Sequence, residues 1–164
     1  MSINKTSNVE DICSFLSTFK ISEEIIQKFR AEKIKGNELF YFSDQDYDNF
    51  GLFVKKTRIK KRLEEIKNST PNILYFNLNI YTNSSNAEIL KFLKEEILLE
   101  ENKLELFKDI NGEELKNLKE EDLINFGLNL GERRKLLNYI PSIKPKVEIE
   151  NTLKVELKLT MILE

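Results

Sequence analysis

The sequence predicts a mainly α-helical protein made of two consecutive bundles of five short helices, joined by a short extended segment and followed by a β-prone tail. Three observations support this fold class: an internal repeat, apolar residues at helical spacing in both copies, and turn residues at matching places. The length of 164 residues suits two small domains, and 40% hydrophobic with 33% charged residues is typical of a folded chain.

The internal repeat aligns two stretches of equal length without gaps. Residues 34–52 read IKGNELFYFSDQDYDNFGL and residues 110–128 read INGEELKNLKEEDLINFGL, with the same last four residues. The flanks align as well, through the apolar pairs Ile12 and Ile89, Phe15 and Phe92, Leu16 and Leu93, Ile59 and Leu136, Leu63 and Ile140, and Ile66 and Ile143. The repeat therefore predicts a first domain over residues 8–67 and a second over 86–143.

Cap signals place the short helices within each copy. Ser43 followed by Asp46 resembles a capping box, and Gly51 is a natural helix end. The same order of signals recurs in the second copy. Phe50 and Phe126, which precede the matching glycines, are predicted to lie in the two cores.

Two segments outside the repeat alternate apolar and polar residues, which is a strand pattern. Residues 68–85 are the predicted linker, with a strand over 73–81, and residues 144–164 are the predicted β-prone tail. An isolated strand is not stable in water. We therefore expect residues 73–81 to pair with part of 147–163.

The composition argues against an enzyme. Histidine is absent, which removes the commonest general base and metal ligand, and the single Cys13 lies on an apolar helical face. No GxxxxGK[ST] phosphate loop occurs. The sequence therefore predicts a non-enzymatic protein without a cofactor, a metal or a small-molecule substrate.

The expected location is the cytoplasm, and the nucleus is also compatible. A single cysteine suits a reducing compartment. The first residues lack the order of a secretory signal, and no run of about 18 apolar residues occurs to span a membrane.

The order of motifs resembles the sterile alpha motif (SAM) family. Short helices are followed by I-x-G-x-x-L, then by an acidic D-x-x-x-F-G-L stretch, and then by a basic start to the final helix. The resemblance covers about residues 8–67 and 86–143. It implies a tandem SAM protein, an adaptor in signalling or scaffolding that associates with other SAM domains or with itself.

The resemblance also implies two kinds of binding surface. In SAM domains a basic "end-helix" surface binds the acidic "mid-loop" surface of a partner, and each copy here is acidic in the middle and basic at the end. The implied basic residues are Lys55, Lys56, Arg58, Lys60, Lys61, Arg62, Arg133, Arg134 and Lys135. The implied acidic residues are Asp44, Asp46, Asp48, Glu113, Glu114, Glu120, Glu121 and Asp122.

The basic run over residues 55–62 has other interpretations. It is compatible with a solvated helix face. The second functional hypothesis is RNA-hairpin binding, because some SAM domains bind an RNA stem-loop with this surface. Clustered cations can also contact several phosphates. No aromatic residue interrupts the run for base stacking, and the net charge of -2 is unfavourable. Binding to anionic lipid is a weaker third alternative.

Overall fold

The computed structural model describes residues 3–70, 76 and 78–146. This part of the chain is mainly helical and contains no β-strand, so the predicted mainly α class is confirmed. The α-helices are α1 Val9–Ser17, α2 Glu23–Ala31, α3 Asp44–Asn49, α4 Lys56–Ser69, α5 Asn86–Phe92, α6 Glu101–Leu104, α7 Gly112–Asn117, α8 Glu120–Asn125 and α9 Leu130–Tyr139. Three 3-10 segments, Glu38–Tyr41, Glu105–Phe107 and Ile140–Ser142, and a π segment, Leu93–Ile97, complete the helical structure of these residues.

The two sequence repeats carry helical segments in the same order. In the first repeat α1, α2, the segment Glu38–Tyr41, α3 and α4 follow one another. In the second, α5 with its π extension, α6, α7, α8 and α9 occupy the corresponding places.

The matching helices α3 and α8 begin and end for the same physical reasons. The Asp46 carboxylate accepts a hydrogen bond from the Ser43 backbone N–H at 2.7 Å, and the Asp122 carboxylate accepts one from Lys119 at 2.8 Å. Both helices end before a glycine in the left-handed region, Gly51 at φ 84° and Gly127 at φ 69°, where a side chain would be strained. The predicted capping box and helix end are therefore confirmed for α3.

The described residues form two compact units. The first contains the described residues up to 76 together with 127–138, and the second contains residues 78–126 and 139–146. Most of α9 thus clusters with the first repeat, whereas the sequence assigned it to a domain over 86–143. The tandem-bundle arrangement with those boundaries stays a prediction.

The core of the first unit is built from aromatic rings and aliphatic side chains. Phe29 lies 4.2 Å from Phe50 and 6.2 Å from Phe42 between ring centroids. The Tyr47 hydroxyl donates to the Leu39 carbonyl at 3.0 Å, so its polar end is satisfied. Phe50 is buried, as predicted.

The core of the second unit uses fewer aromatic rings. Phe92 packs 4.4 Å from Tyr139, and Phe107 packs 4.9 Å from Phe126 in an edge-to-face arrangement. Phe126 contacts this core through Phe107, as predicted, but it is half-buried, whereas Phe50 is buried. The reason is local: Leu123 and Phe107 already fill this part of the core, and both are 0% exposed.

The two predicted β segments fall partly outside the described residues. Residues 73–75 and 77 of the predicted strand over 73–81 lie outside the described residues, and so do residues 147–164 of the predicted tail over 144–164. Tyr81, at the described end of the linker, forms an isolated parallel bridge with Lys144. Among the described residues, no helix is long and apolar enough to cross a membrane.

Candidate functional site

The basic start of α4 is partly neutralised by acids of its own repeat. The Lys56 ammonium donates to both Asp48 carboxylate oxygens at 2.9 Å, and Lys60 pairs with Asp44. Lys60 also lies 5.7 Å from the centre of the Tyr47 ring. Ion pairs between α3 and α4 therefore engage two of the predicted basic residues, Lys56 and Lys60, and two of the predicted acidic residues, Asp48 and Asp44.

An apolar and basic patch remains open just before and within the first turn of α4. Phe53 is 64% exposed and Val54 is 84% exposed, which is unusual for two adjacent large apolar residues. Lys55 follows them, and Arg58 is exposed one residue before the buried Ile59. We call Phe53, Val54, Lys55 and Arg58 the α4 patch.

A shallow groove lies on the same helix. Arg58, Lys61 and Arg62 line it together with Phe19, Thr18 and Glu65, and its volume is about 410 Å³. Phe19, two residues beyond the end of α1, thus places an aromatic ring beside the basic run, which has none of its own.

The basic start of α9 has the opposite environment, inside the first unit. Arg134 donates from Nε and Nη2 to the two Asp46 oxygens, both at 2.8 Å. The Asp46 side chain is only 2% exposed, and Lys135 is 2% exposed as a residue. Asp46 and Arg134, predicted to face partner molecules, pair with each other here.

The packing of α9 depends on the residues in and just before its first turn. The Glu132 carboxylate accepts from the Asn129 N–H at 2.9 Å, and the Asn129 side chain accepts from the Glu132 N–H at 2.8 Å, which fixes the helix start. Gly131 lies directly against the Glu38 side chain, so a Cβ atom at this position would clash with that carboxylate. Glycine is therefore required for the close approach.

Burial changes the ionisation of the acids at this contact. Burial raises the pKa of Glu38 to about 7, against the opposing influence of the Lys35 N–H and of the Lys135 charge. Burial also disfavours ionised Asp46, but hydrogen bonds from Arg134 and Ser43 outweigh it and hold its pKa below the usual value. The Asp46 carboxylate is therefore ionised and bound to Arg134, whereas Glu38 can take up a proton near neutral pH.

The acids of the second repeat divide into helix caps and surface groups. Glu114 and Asp122 accept hydrogen bonds from the Asn111 and Lys119 N–H groups, each at 2.8 Å. Glu113 and Glu121 are exposed, and Glu120 is half-buried. We call Glu113, Glu120 and Glu121 the second-repeat acids.

No family model, curated protein or solved structure matches this chain. The resemblance to SAM domains therefore rests on the repeat and its motifs, and the family assignment stays a prediction. Among the described residues, no cluster of histidine, cysteine and acidic side chains could hold a metal ion.

Several residues that matter in the structure have no distinctive sequence signal. Glu38 and Glu132 look like ordinary surface acids, yet they are 1% and 0% exposed. Phe53 and Val54 look like core residues, yet they are exposed. Only the stretch NFGLFVKK, in which two apolar residues follow a helix-ending glycine and precede lysines, hints at the α4 patch.

Proposed function

We propose that this protein is a non-enzymatic adaptor of the SAM type, which associates head-to-tail with another SAM-like domain or with a second copy of itself. The α4 patch is the docking surface of the first unit. The supporting observation is its combination of exposed apolar side chains with adjacent cations, next to lysines whose charges are already paired within the chain.

The apolar residues supply the main gain in free energy. Burying a large apolar side chain stabilises a complex by roughly 1.5 to 3 kcal/mol, and Phe53 and Val54 both have most of this area still in water. Lys55 and Arg58 at the edge steer the partner and set its orientation, because rim charges change association rate and specificity more than affinity.

The second-repeat acids are the complementary surface. Glu113 and Glu121 are exposed on α7 and α8, so a second copy can offer them to the α4 patch. A contact between two different surfaces of the same chain does not close on itself unless the geometry makes a ring. Growth of the assembly with concentration is therefore expected.

RNA-hairpin binding is the second candidate, and the groove on α4 favours it. Phe19 lines the groove together with Arg58, Lys61 and Arg62, so an aromatic ring lies next to three cations. Protein–nucleic acid contacts of this kind combine stacking with phosphate neutralisation. Because the pI is about 5.5, attraction to RNA would be confined to this groove.

Sedimentation velocity of the full chain across concentration tests the adaptor function. The variant Lys55→Glu/Arg58→Glu should stay monomeric where the wild type grows. The matched control Lys28→Glu/Lys91→Glu makes the same change of net charge at two exposed lysines away from both proposed surfaces and should associate like the wild type. Adding Glu113→Lys/Glu121→Lys to the first variant should partly restore growth.

Two results would decide against this proposal. Equal association of the charge-reversed variant and its control would leave the α4 patch as a solvated helix face. Binding of a labelled RNA hairpin by the wild type, with a steep loss at high salt and loss in Lys61→Glu/Arg62→Glu, would favour the RNA function instead.

A further inference from the structure

A group of buried ionisable side chains lies inside the first unit, where the start of α9 meets the segment Glu38–Tyr41. Glu38, Glu132 and Lys135 are each no more than 2% exposed, and the charges of Glu132 and Lys135 act on Glu38. A charge that leaves water needs a partner of opposite sign to offset the loss of hydration. One lysine neutralises only one of two carboxylates, so the group holds an excess negative charge when both acids are ionised.

The carboxyl group of Glu38 is covered by the backbone of α9. A Cβ atom on Gly131 would clash with Glu38 Oε2, so no side chain fits between the helix and this group. Oε2 accepts a hydrogen bond from the Lys35 N–H at 2.9 Å, whereas no donor among the described residues reaches the buried Oε1. A buried carboxylate oxygen without a donor is costly. A proton on Oε1 removes the charge and turns the group into a donor.

The surroundings of Glu38 act on its ionisation in both directions. Burial raises the pKa of Glu38 to about 7 against the Lys35 N–H and the Lys135 charge, and the Glu132 charge adds to the rise. The Lys35 charge favours the ionised form. Other charged groups at the end of α2 and in α3 and α9 have partners of their own: Glu32 accepts from the Leu130 N–H, Arg133 donates to the Leu128 carbonyl, and Asp46 binds Arg134. The proton on Glu38 is therefore held only while α9 keeps this carboxyl covered.

We infer that Glu38 is a proton switch for the start of α9: protonated Glu38 keeps residues 130–135 closed over the first unit, and loss of its proton makes them open more often. After the proton leaves, two buried carboxylates share the Lys135 ammonium group, and opening lets water hydrate the second carboxylate. The closed form stays the major one, so the switch sets the frequency of opening. Lys135 becomes accessible each time the segment opens.

The direction of the pH effect follows from where the proton is held. Glu38 has its ordinary pKa of 4.5 when the segment is open and water reaches it, and a pKa of about 7 when the segment is closed. Opening therefore releases a proton, and each unit of pH between these values favours the open form by about tenfold. From pH 4.5 to pH 8 the total is about 100-fold, and at higher pH the opening no longer responds to Glu38.

Residue-resolved hydrogen exchange of dilute protein tests the switch. The reporters are the backbone amides of residues 133–135, and each protection factor is the ratio of the free-peptide exchange rate to the observed rate at the same pH. Glu38→Gln keeps the shape of the side chain and cannot lose a proton. Glu32→Gln is the matched control, because it makes the same change in an exposed acid that contacts the same helix start. All chains carry Lys55→Glu/Arg58→Glu, so association through the α4 patch cannot alter the exchange.

The protection of these amides in the chain with Glu38 should fall by about 100-fold relative to Glu38→Gln between pH 4.5 and pH 8. Glu32→Gln should show the full fall. The amides of α1, in the same unit, should stay more protected than those of α9 at every pH, because the opening is local. The ¹³C shift of the Glu38 carboxyl carbon should titrate near pH 7, a measurement that needs no change at Glu38.

The inference is overturned if the chain with Glu38 and the Glu38→Gln chain lose protection in parallel, or if the Glu38 carboxyl carbon titrates near pH 4.5. Equal protection of α9 and α1 at every pH would also overturn it, because exchange would then occur by unfolding of the whole unit. If Glu38→Gln does not fold, the carbon titration and the protection of α9 relative to α1 decide. None of these outcomes depends on the adaptor function proposed above.

Discussion

The start of α4 and the start of α9 occupy corresponding places in the two repeats, yet their surroundings are opposite. At α4, Phe53 and Val54 are exposed and Arg58 lies at the surface. At α9, Leu130 packs on a core, Arg134 is bound by Asp46, and Lys135 is buried. A basic helix start is thus a structural contact in one repeat and an open surface in the other.

The difference shows that clustered charge alone does not indicate function. The first repeat has the denser basic run, but Lys56 and Lys60 are paired with acids of the same repeat. The second repeat has the weaker run, yet its Arg134 binds the Asp46 carboxylate, whose side chain is only 2% exposed. The neighbours of each side chain decide which cations remain available to a partner.

The largest expected contrast between the repeats is at the two phenylalanines before the glycines. Phe50→Ala should lower the free energy of unfolding by about 3 to 5 kcal/mol, because it leaves a cavity beside Phe29 and Phe42. Phe126→Ala should cost less, about 2 kcal/mol, since that ring is half-buried. Urea unfolding of both variants measures the difference, and equal costs would mean that the two cores are equivalent.

The second contrast concerns pH. Because the pKa of Glu38 is raised from 4.5 to about 7, the folded state holds a proton that the unfolded state releases between these values. The contribution of protonated Glu38 to the free energy of unfolding is fully present below pH 4.5 and is lost as the pH rises through about 7. Lys35, Lys135 and Glu132 are the charged groups that act on Glu38.

The stability of the wild type relative to Glu38→Gln should therefore fall by about 3 kcal/mol between pH 4.5 and pH 8. Denaturant unfolding across pH provides the measurement. A flat difference for Glu38→Gln would show that the carboxylate is hydrated.

The third contrast is between the caps of α3 and α8. Asp46→Ala removes a cap and leaves the Arg134 guanidinium without its carboxylate, so we expect a loss of about 2 to 3 kcal/mol. Asp122→Ala removes only a cap and should cost about 1 kcal/mol. Thermal melts at equal protein concentration compare the stabilities of the two variants. Equal losses would show that the Arg134 contact adds nothing measurable to stability.

Sequence reasoning succeeded where the cause is local. The box formed by Ser43 and Asp46 and the glycine at position 51 determine where α3 begins and ends, and these residues lie within one short stretch. It failed where the cause is a distant partner. Nothing near Lys135 in sequence indicates burial, since Glu38 lies in the other repeat and Gly131 looks like an ordinary loop residue. The exposure of Phe53 was missed for the same reason, because only the packed structure shows which apolar residues the core leaves out.

The smallest expected effect on stability is at the α4 patch. Lys55→Ala/Arg58→Ala should change the free energy of unfolding by less than about 0.5 kcal/mol, because Arg58 is exposed and Lys55 is only half-buried. Arg134→Ala/Lys135→Ala should lower it by at least about 2 kcal/mol, since two buried carboxylates lose their counter-charges. A reversed order would contradict the assignment of one helix start to binding and the other to structure.

The most direct measurement of that assignment is residue-resolved labelling of lysine amines at rising protein concentration. Lys135 should be protected at every concentration, because it is 2% exposed within one chain. Lys55 should be labelled readily in dilute protein and become protected as chains associate, while the exposed Lys91 stays labelled throughout. Constant labelling of Lys55 across the range, or rapid labelling of Lys135 in dilute protein, would contradict the division between an open α4 start and a buried α9 start.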